Sequence, residues 1–362
     1  MKRIYEARKH SRAHALLLLL AAILVVCPYQ SKILAQDGQK SIKIGFLIRD
    51  KRDLASIQVA ELAIAHANAA GGFQGRTLQL ITKSCDGPWG VGSKRAVELV
   101  YDDEVTMIVA ALDGRNAHLA EQVTAKSHVV LLSTQSSDPS LSRAYVPWYF
   151  RMVPDDRQQA AVLIEDIYQK QQLSKVVLVS LDDYDGKMSV ESMKELMVKK
   201  GLQTPESFIN LPEKTLMQKI AHHPPQAMVL AGSAAHVRQL VDDIHVSFPA
   251  IRLYAFLNMY NFYAITRTPF PKNIRIVQSD SPAHSQRPSF EKAFLEKYGQ
   301  MPSPAQAYIY DGISLAAEAI RTYGASPEAL RSNFKSITYL GLTGEIKFGK
   351  LGNRSNEWIL SK

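Results

Sequence analysis

The chain has 362 residues, a formal net charge of +9 and two cysteines, with 46% hydrophobic residues. That length predicts two domains of ordinary size. Its basicity is no sign of nucleic-acid binding, because no basic run is interleaved with aromatics and part of the charge lies in a targeting segment.

Lys2, Arg3, Arg8, Lys9 and Arg12 form a basic start, and Ala15–Cys27 is an apolar run of 13 residues. A bilayer-spanning helix needs about 20. The pattern predicts a signal peptide, with cleavage after Ala35 in Ile33-Leu34-Ala35. Residues 1–35 carry six Lys/Arg and one acid, so the mature chain is only mildly basic. Val26 before Cys27 disfavours a lipoprotein signal, and Cys85 then remains alone. A single cysteine in an exported chain forms no internal disulfide, so burial of apolar surface must hold the fold.

From Ser41 onward, apolar runs alternate with helical stretches. Ile42–Ile48 reads as a buried strand, Ala55–Ala70 as a helix and Thr77–Lys83 as a strand. Ser93–Tyr101 follows as a helix, Val105–Leu112 as a strand, Ala117–Ser127 as a helix and Val129–Ser133 as a strand. The alternation pauses at Tyr149–Asp155, where Pro154 breaks regularity, and then restarts. Helices are expected at Gln158–Gln169, Met188–Lys200, Thr215–His222 and Ala235–Val246. Strands are expected at Lys175–Leu181, Ser207–Asn210, Ala227–Ala231, Ile251–Phe256 and Ile274–Gln278. Arg287–Tyr298, Pro304–Tyr323 and Pro327–Phe334 read as helices, before strand-like Gly341–Lys350 and Trp358–Ser361. This order predicts an α/β protein with parallel sheets covered on both faces, arranged as two Rossmann-like lobes.

Four segments are narrower than the pattern. HANAAGGFQGRTLQL (His66–Leu80) ends a helix at Gly71-Gly72 and turns into a strand. FRMVPDDRQQA (Phe150–Ala160), AYIYDGISLAAEAI (Ala307–Ile320) and LTGEIKFGKLGNR (Leu342–Arg354) follow in order. Together they resemble the periplasmic solute-binding proteins of ABC transporters, of the Leu/Ile/Val-binding type. The resemblance implies the type I periplasmic-binding fold, with three interlobe crossovers near residues 152, 278 and 341. Lobe 1 would then be 41–152 plus 279–340, and lobe 2 would be 153–278 plus 341–362. It also implies a small-molecule ligand, a membrane ABC permease as partner, a periplasmic location, and a monomer or weak dimer.

Enzyme signatures fail on spacing. In Gly87–Lys94, GPWGVGSK, serine precedes lysine, the reverse of a phosphate-binding loop. No dinucleotide fingerprint follows a strand, and Ala231–Ala235 lacks the second glycine of a nucleophile elbow. His222-His223 has no third ligand at metal spacing, and Asp182-Asp183 and Asp242-Asp243 have no nucleophile beside them. No catalytic residue, cofactor or metal is expected.

Ligands of open α/β sheets bind beyond the carboxyl ends of the strands. Two loops of the first lobe belong there, Ala111–Asn116 and Ser133–Leu141. Backbone N–H groups and the dipole at a helix N-terminus, together with serine hydroxyls, suit a carboxylate. The candidates are Asp113, Gly114, Arg115, Gln135, Ser136 and Ser137. The resemblance implies a hydroxyl at the first loop, which here is Asp113-Gly114-Arg115. Arg115 is either a bidentate carboxylate contact or a solvated helix-start arginine. In the second lobe the resemblance points to Tyr184, Ser233 and Asn258, with Tyr260 and Tyr263 as aromatic walls or core. Neutral Asn258, where the family often has an acid, and the charged Ile48–Arg52 loop imply altered specificity. A ligand-sensing or protein-interaction module regulating an envelope or membrane partner is the rival function on the same fold.

Overall fold

The computed structural model describes residues 40–88, 90–180, 183–232, 237–260, 274–279, 287–355 and 357–361. The signal peptide expected at residues 1–35, Asp182, Ser233 and Tyr263 lie outside these residues.

The first half of the chain builds a five-stranded sheet from β1 (Ile42–Ile48), β2 (Leu78–Ser84), β3 (Ile108–Ala111), β4 (Leu131–Ser133) and β5 (Tyr149–Arg151). Their spatial order is β2-β1-β3-β4-β5, all parallel. Both faces are covered, which explains why β1 and β3 are almost wholly apolar. Helices α1 (Leu54–Ala69), α2 (Val91–Val97), α3 (Gly114–Ser127) and the short α4 (Pro139–Arg143) are threaded between the strands. Asn68 of the His66–Leu80 motif clamps the turn into β2, accepting from Leu78 N at 2.8 Å and donating to Leu78 O at 2.9 Å.

The second sheet has the order β13-β10-β9-β8-β6-β7. Its strands are β6 (Val176–Ser180), β7 (Glu206–Ile209), β8 (Ala227–Ala231), β9 (Arg252–Ala255), β10 (Ile274–Ser279) and β13 (Trp358–Leu360), with β13 alone antiparallel. Helices α5 (Asp156–Ile164), α6 (Tyr184–Lys199), α7 (Glu213–His222) and α8 (Val237–Ser247) belong to this part of the chain. Cores lie on both faces, one around Leu163, Leu178 and Met193, the other around Leu216, Leu230 and Ile244.

After β10 the chain returns to the first sheet. Helices α9 (Arg287–Tyr298), α10 (Pro304–Tyr323) and α11 (Pro327–Asn333) pack their apolar faces with Ile44, Phe46 and Val59. The hairpin of β11 (Tyr339–Gly341) and β12 (Gly344–Ile346) leads to β13. Leu342, Ile346 and Phe348 pack into the same core as α10, and only Trp358–Leu360 rejoins the second sheet. The chain therefore passes between the two sheets three times, the number the family resemblance implies.

Two of these crossings run side by side. Arg151 N donates to Gly352 O at 2.9 Å, and Arg354 N donates to Arg151 O at 3.1 Å. Gly352 has φ +74°, and a Cβ there would stand 2.0 Å from Tyr149 O, so only glycine lets the strands meet. Fully buried Asp311 of α10 moors the hairpin. It accepts from Leu342 N and Thr343 N, both at 2.7 Å, and from Thr343 Oγ1 at 2.6 Å. Buried Arg354 donates to Thr343 O at 2.7 Å from the other side.

Candidate functional site

The site grows from the carboxyl ends of β3 and β4. Asp113 caps α3, accepting from Asn116 N at 2.8 Å, and its other oxygen stands 3.2 Å from Arg49 Nε. β3 ends at Ala111, and after Leu112 and the capping Asp113 the helix starts at Gly114, three residues before the apolar periodicity becomes visible at Ala117. A side-chain cap of this kind satisfies one of the otherwise unpaired N–H groups of the first turn.

After β4 the loop from Ser133 to Asp138 is buried throughout. Arg151, itself inaccessible to solvent, holds it from beneath, donating to Ser137 O at 3.3 Å and to Asp138 O at 2.7 Å. Such a cation is committed to backbone carbonyls and shapes the loop. Ser136 is fully buried, and its hydroxyl has no hydrogen-bond partner among the described residues. A buried polar atom without a partner costs free energy unless something else supplies one.

Asp138 is the charged centre of this side. It receives His118 Nε2 at 3.1 Å, Ser140 Oγ at 2.6 Å and Tyr184 Oη at 2.8 Å. Burial pushes its carboxyl up, but the hydrogen bonds from His118, Ser140 and Tyr184 outweigh burial and hold it well below the usual range. Hydrogen bonds to Asp138 and Glu121 raise His118 to about 9 in turn.

The second lobe offers α6. Asp183 caps it, accepting from Gly186 N at 2.7 Å, and Tyr184 opens its first turn. Asp185 is buried, and its Oδ1 accepts from Gly114 N, across the cleft, at 2.8 Å. Burial, and after it the charge of Asp113, pushes the Asp185 carboxyl well above its ordinary value. The approach is close. A Cβ on Gly114 would lie 2.9 Å from Tyr184 Cε1 and 3.0 Å from both Asp138 Cβ and Asp185 Oδ1.

Behind α6, Ser189 Oγ donates to Asp156 Oδ1 at 2.9 Å and accepts from Asn258 Nδ2 at 2.7 Å. Asn258 Oδ1 accepts from Gly232 N at 3.0 Å, so its amide links β8, α6 and the end of β9. Burial lifts Asp156 to about 8. Leu257 N donates to Gln159 at 2.7 Å, another tie between the residues after β9 and the first helix of this lobe.

The sequence candidates are therefore distributed unevenly. Gly114 and Tyr184 meet across the cleft, with Asp113 capping the helix that Gly114 begins. Gln135, Ser136 and Ser137 lie in the buried loop beside Asp138. Arg115 is exposed on the first turn of α3. Asn258 serves a buried network, Tyr260 is core, and Ser233 is outside the described residues. Sequence reasoning missed Asp138, Asp185, His118 and Asp156. The signal available for the first two was an acid next to a serine loop and an acid at a helix start, which both read as ordinary caps. Among the described residues no group of acids, histidines or cysteines could hold a metal, and no helix is long and apolar enough to cross a membrane.

Two α/β lobes, crossed three times and meeting at the carboxyl ends of their strands, define a bilobal binding protein. The chain belongs to the periplasmic binding protein family, whose model matches residues 41–357. It is similar in fold to the branched-chain amino acid transporter substrate-binding protein LivJ of Streptococcus pneumoniae in complex with isoleucine. That match has a TM-score of 0.72 at 18% identity, over 89% of this chain and 95% of the other. A solute-binding protein of an ABC transporter from R. palustris in complex with benzoate matches with a TM-score of 0.74 at 15% identity, over 89% and 92%. A chemotactic signal transduction substrate-binding protein, BasB of Halobacterium salinarum, is 31% identical over 108 residues, covering 28% of this chain and 26% of that protein. The curated relatives are thus matched over about a quarter of their own length or less.

Proposed function

We propose that the chain is an exported substrate-binding protein, which captures a small polar ligand in the interlobe cleft and delivers it to an ABC permease. The ligand class is an amino acid or a related amide or organic acid. Ser136 and Ser137 supply hydroxyls from the first lobe, and Tyr184 closes over the ligand from the second. The observation that carries this reading is the approach of Tyr184 and Asp185 to Gly114, which joins two helix starts from different lobes. Ligand contacts made by both lobes would favour the closed state, and closure would prepare the protein for its permease. Export fits the basic and apolar start of the sequence.

The match to a chemotactic substrate-binding protein supports a second reading, in which the same ligand step reports to a membrane sensor. The two readings share the cleft and differ only in the partner.

The test is Gly114→Ala. One methyl group placed 2.9–3.0 Å from Tyr184, Asp138 and Asp185 forces these contacts across the cleft to shift and touches no apolar core side chain among its nearest neighbours. We expect ligand affinity to fall at least about tenfold, which is about 1.4 kcal/mol, with the far-ultraviolet spectrum unchanged. Undiminished affinity in the Gly114→Ala protein would count against binding by closure of this cleft.

A further inference from the structure

We propose that Asp185 is a built-in stand-in for an anionic ligand group, so that the closed cleft excludes a ligand carboxylate from the α3 N-terminus. The proposal rests on the ligand-binding reading above and narrows its ligand class to molecules that present an amide, hydroxyl or amine there.

The first four N–H groups of a helix lack intrahelical partners, and with the dipole they attract anions. In α3 the Asn116 N–H goes to Asp113 Oδ1. The Gly114 N–H goes to Asp185 Oδ1, delivered by the opposite lobe at 2.8 Å. The chain's own carboxyl oxygen thus takes the place on this N–H that a ligand carboxylate oxygen would take.

Volume and charge agree. Gly114 is covered so closely by Tyr184 and Asp185 that even a methyl group, at 2.9–3.0 Å, requires them to shift, and a carboxylate between them requires more. Two further acids flank the position, Asp113 with its Arg49 partner and Asp138 with His118. A ligand carboxylate would have to displace Asp185 and then face both. A second bond across the cleft, Tyr184 Oη to Asp138 Oδ2 at 2.8 Å, acts in the same sense. With both bonds made inside the protein, the lobes have a reason to close before any ligand arrives. An equilibrium between open and closed forms is biased by whatever binds one of them better, and here part of that bias is internal.

The experiment measures the distance between spin labels at Lys126→Cys on α3 and Lys199→Cys on α6, both exposed positions, in the mature chain stripped of ligand. Buried Cys85 stays in place. Asp185→Asn keeps a side-chain oxygen for the Gly114 N–H, and Asp185→Ala does not. We expect a short distance in the parent protein and in Asp185→Asn, and a longer one in Asp185→Ala. An Asp185→Ala protein with the parent's distance overturns the proposal, as does an Asp185→Asn protein as open as Asp185→Ala. A binding arm compares L-isoleucine and benzoate with isoleucinamide and benzamide. Either carboxylate should bind Asp185→Ala on the order of tenfold more tightly than the parent, and a carboxylate that prefers the parent contradicts exclusion. The distances are read without ligand. A panel with no binder therefore counts against the carrier reading, while the distances still decide the role of Asp185.

Discussion

Replacing His118 by glutamine should make the stability of the first lobe less dependent on pH in a defined window. His118 is about one third exposed, at 32% of its side-chain area, whereas its partner Asp138 is 1% exposed. Hydrogen bonds to Asp138 and Glu121 raise the imidazole from 6.5 to about 9. That difference corresponds to about 3 kcal/mol of linkage between protonation and folding, and screening at the partly exposed ring makes this an upper figure. The sign follows from which state holds the proton more tightly. The native state does, so the stabilisation is complete below pH 6.5, declines as pH rises, and is gone above about 9. Asp138 works in the opposite direction. Its depressed carboxyl contributes above the ordinary carboxylate range near 4 and loses that contribution as pH falls. Both contributions are therefore full between about pH 4 and 6.5. Urea unfolding followed by tryptophan fluorescence suits the assay, because Trp148 packs in this lobe with its indole N–H on Thr124 O. The stability gap between parent and His118→Gln should be about 2–3 kcal/mol at pH 6 and nearly closed by pH 9.5. A gap that stays constant over that range would refute the assignment of a charged His118 to the Asp138 pair.

Two further outcomes follow from buried groups elsewhere. Asp311→Ala removes the acceptor of three hydrogen bonds that moor the Leu342–Thr343 segment, and should cost about 3 kcal/mol in chemical denaturation. Asp311→Asn should cost less, because its Oδ1 still accepts. Cys85 is buried, and burial pushes its thiol up to about 12, so native protein should not react with a thiol reagent at pH 8. Reaction should appear only with unfolding; a fast reaction of the native chain would contradict that burial.

Much of the fold is legible because its strands are buried on both faces. Ile42–Ile48, Ala227–Ala231 and the helices Arg287–Tyr298 and Pro304–Tyr323 stand in the structure at the bounds their apolar patterns predict. Short β5 is not legible. Three residues flanked by Trp148 and Met152 have no readable period, and what makes them a strand is pairing with Leu131–Ser133. Helix starts are the larger gap. Periodicity puts the two cleft helices at Ala117 and Met188, but they begin at Gly114 and Tyr184. Their first turns read Gly-Arg-Asn and Tyr-Asp-Gly, the composition of turns, and Gly114 N–H, Tyr184 and Asp185 in them bond across the cleft. The meeting of Asp185 with Gly114 joins residues 71 apart in sequence, and no local pattern announces it. The candidate site was thus legible as a pair of loops, while its pairing across the cleft depends on how the lobes close.

The most direct test of ligand capture is a thermal-shift panel on the chain expressed from Gln36 onward, after partial unfolding and dialysis to remove any carried ligand. The panel holds amino acids, amides, organic acids, short peptides and nucleosides. A ligand at about a hundred times its dissociation constant adds about 2.7 kcal/mol and raises the melting temperature visibly. Ligand capture in the cleft predicts such a rise with at least one compound, lost in Ser137→Ala and in Tyr184→Ala proteins that still unfold cooperatively. A cooperatively unfolding parent protein whose melting point no compound moves would contradict ligand capture and favour the interaction module.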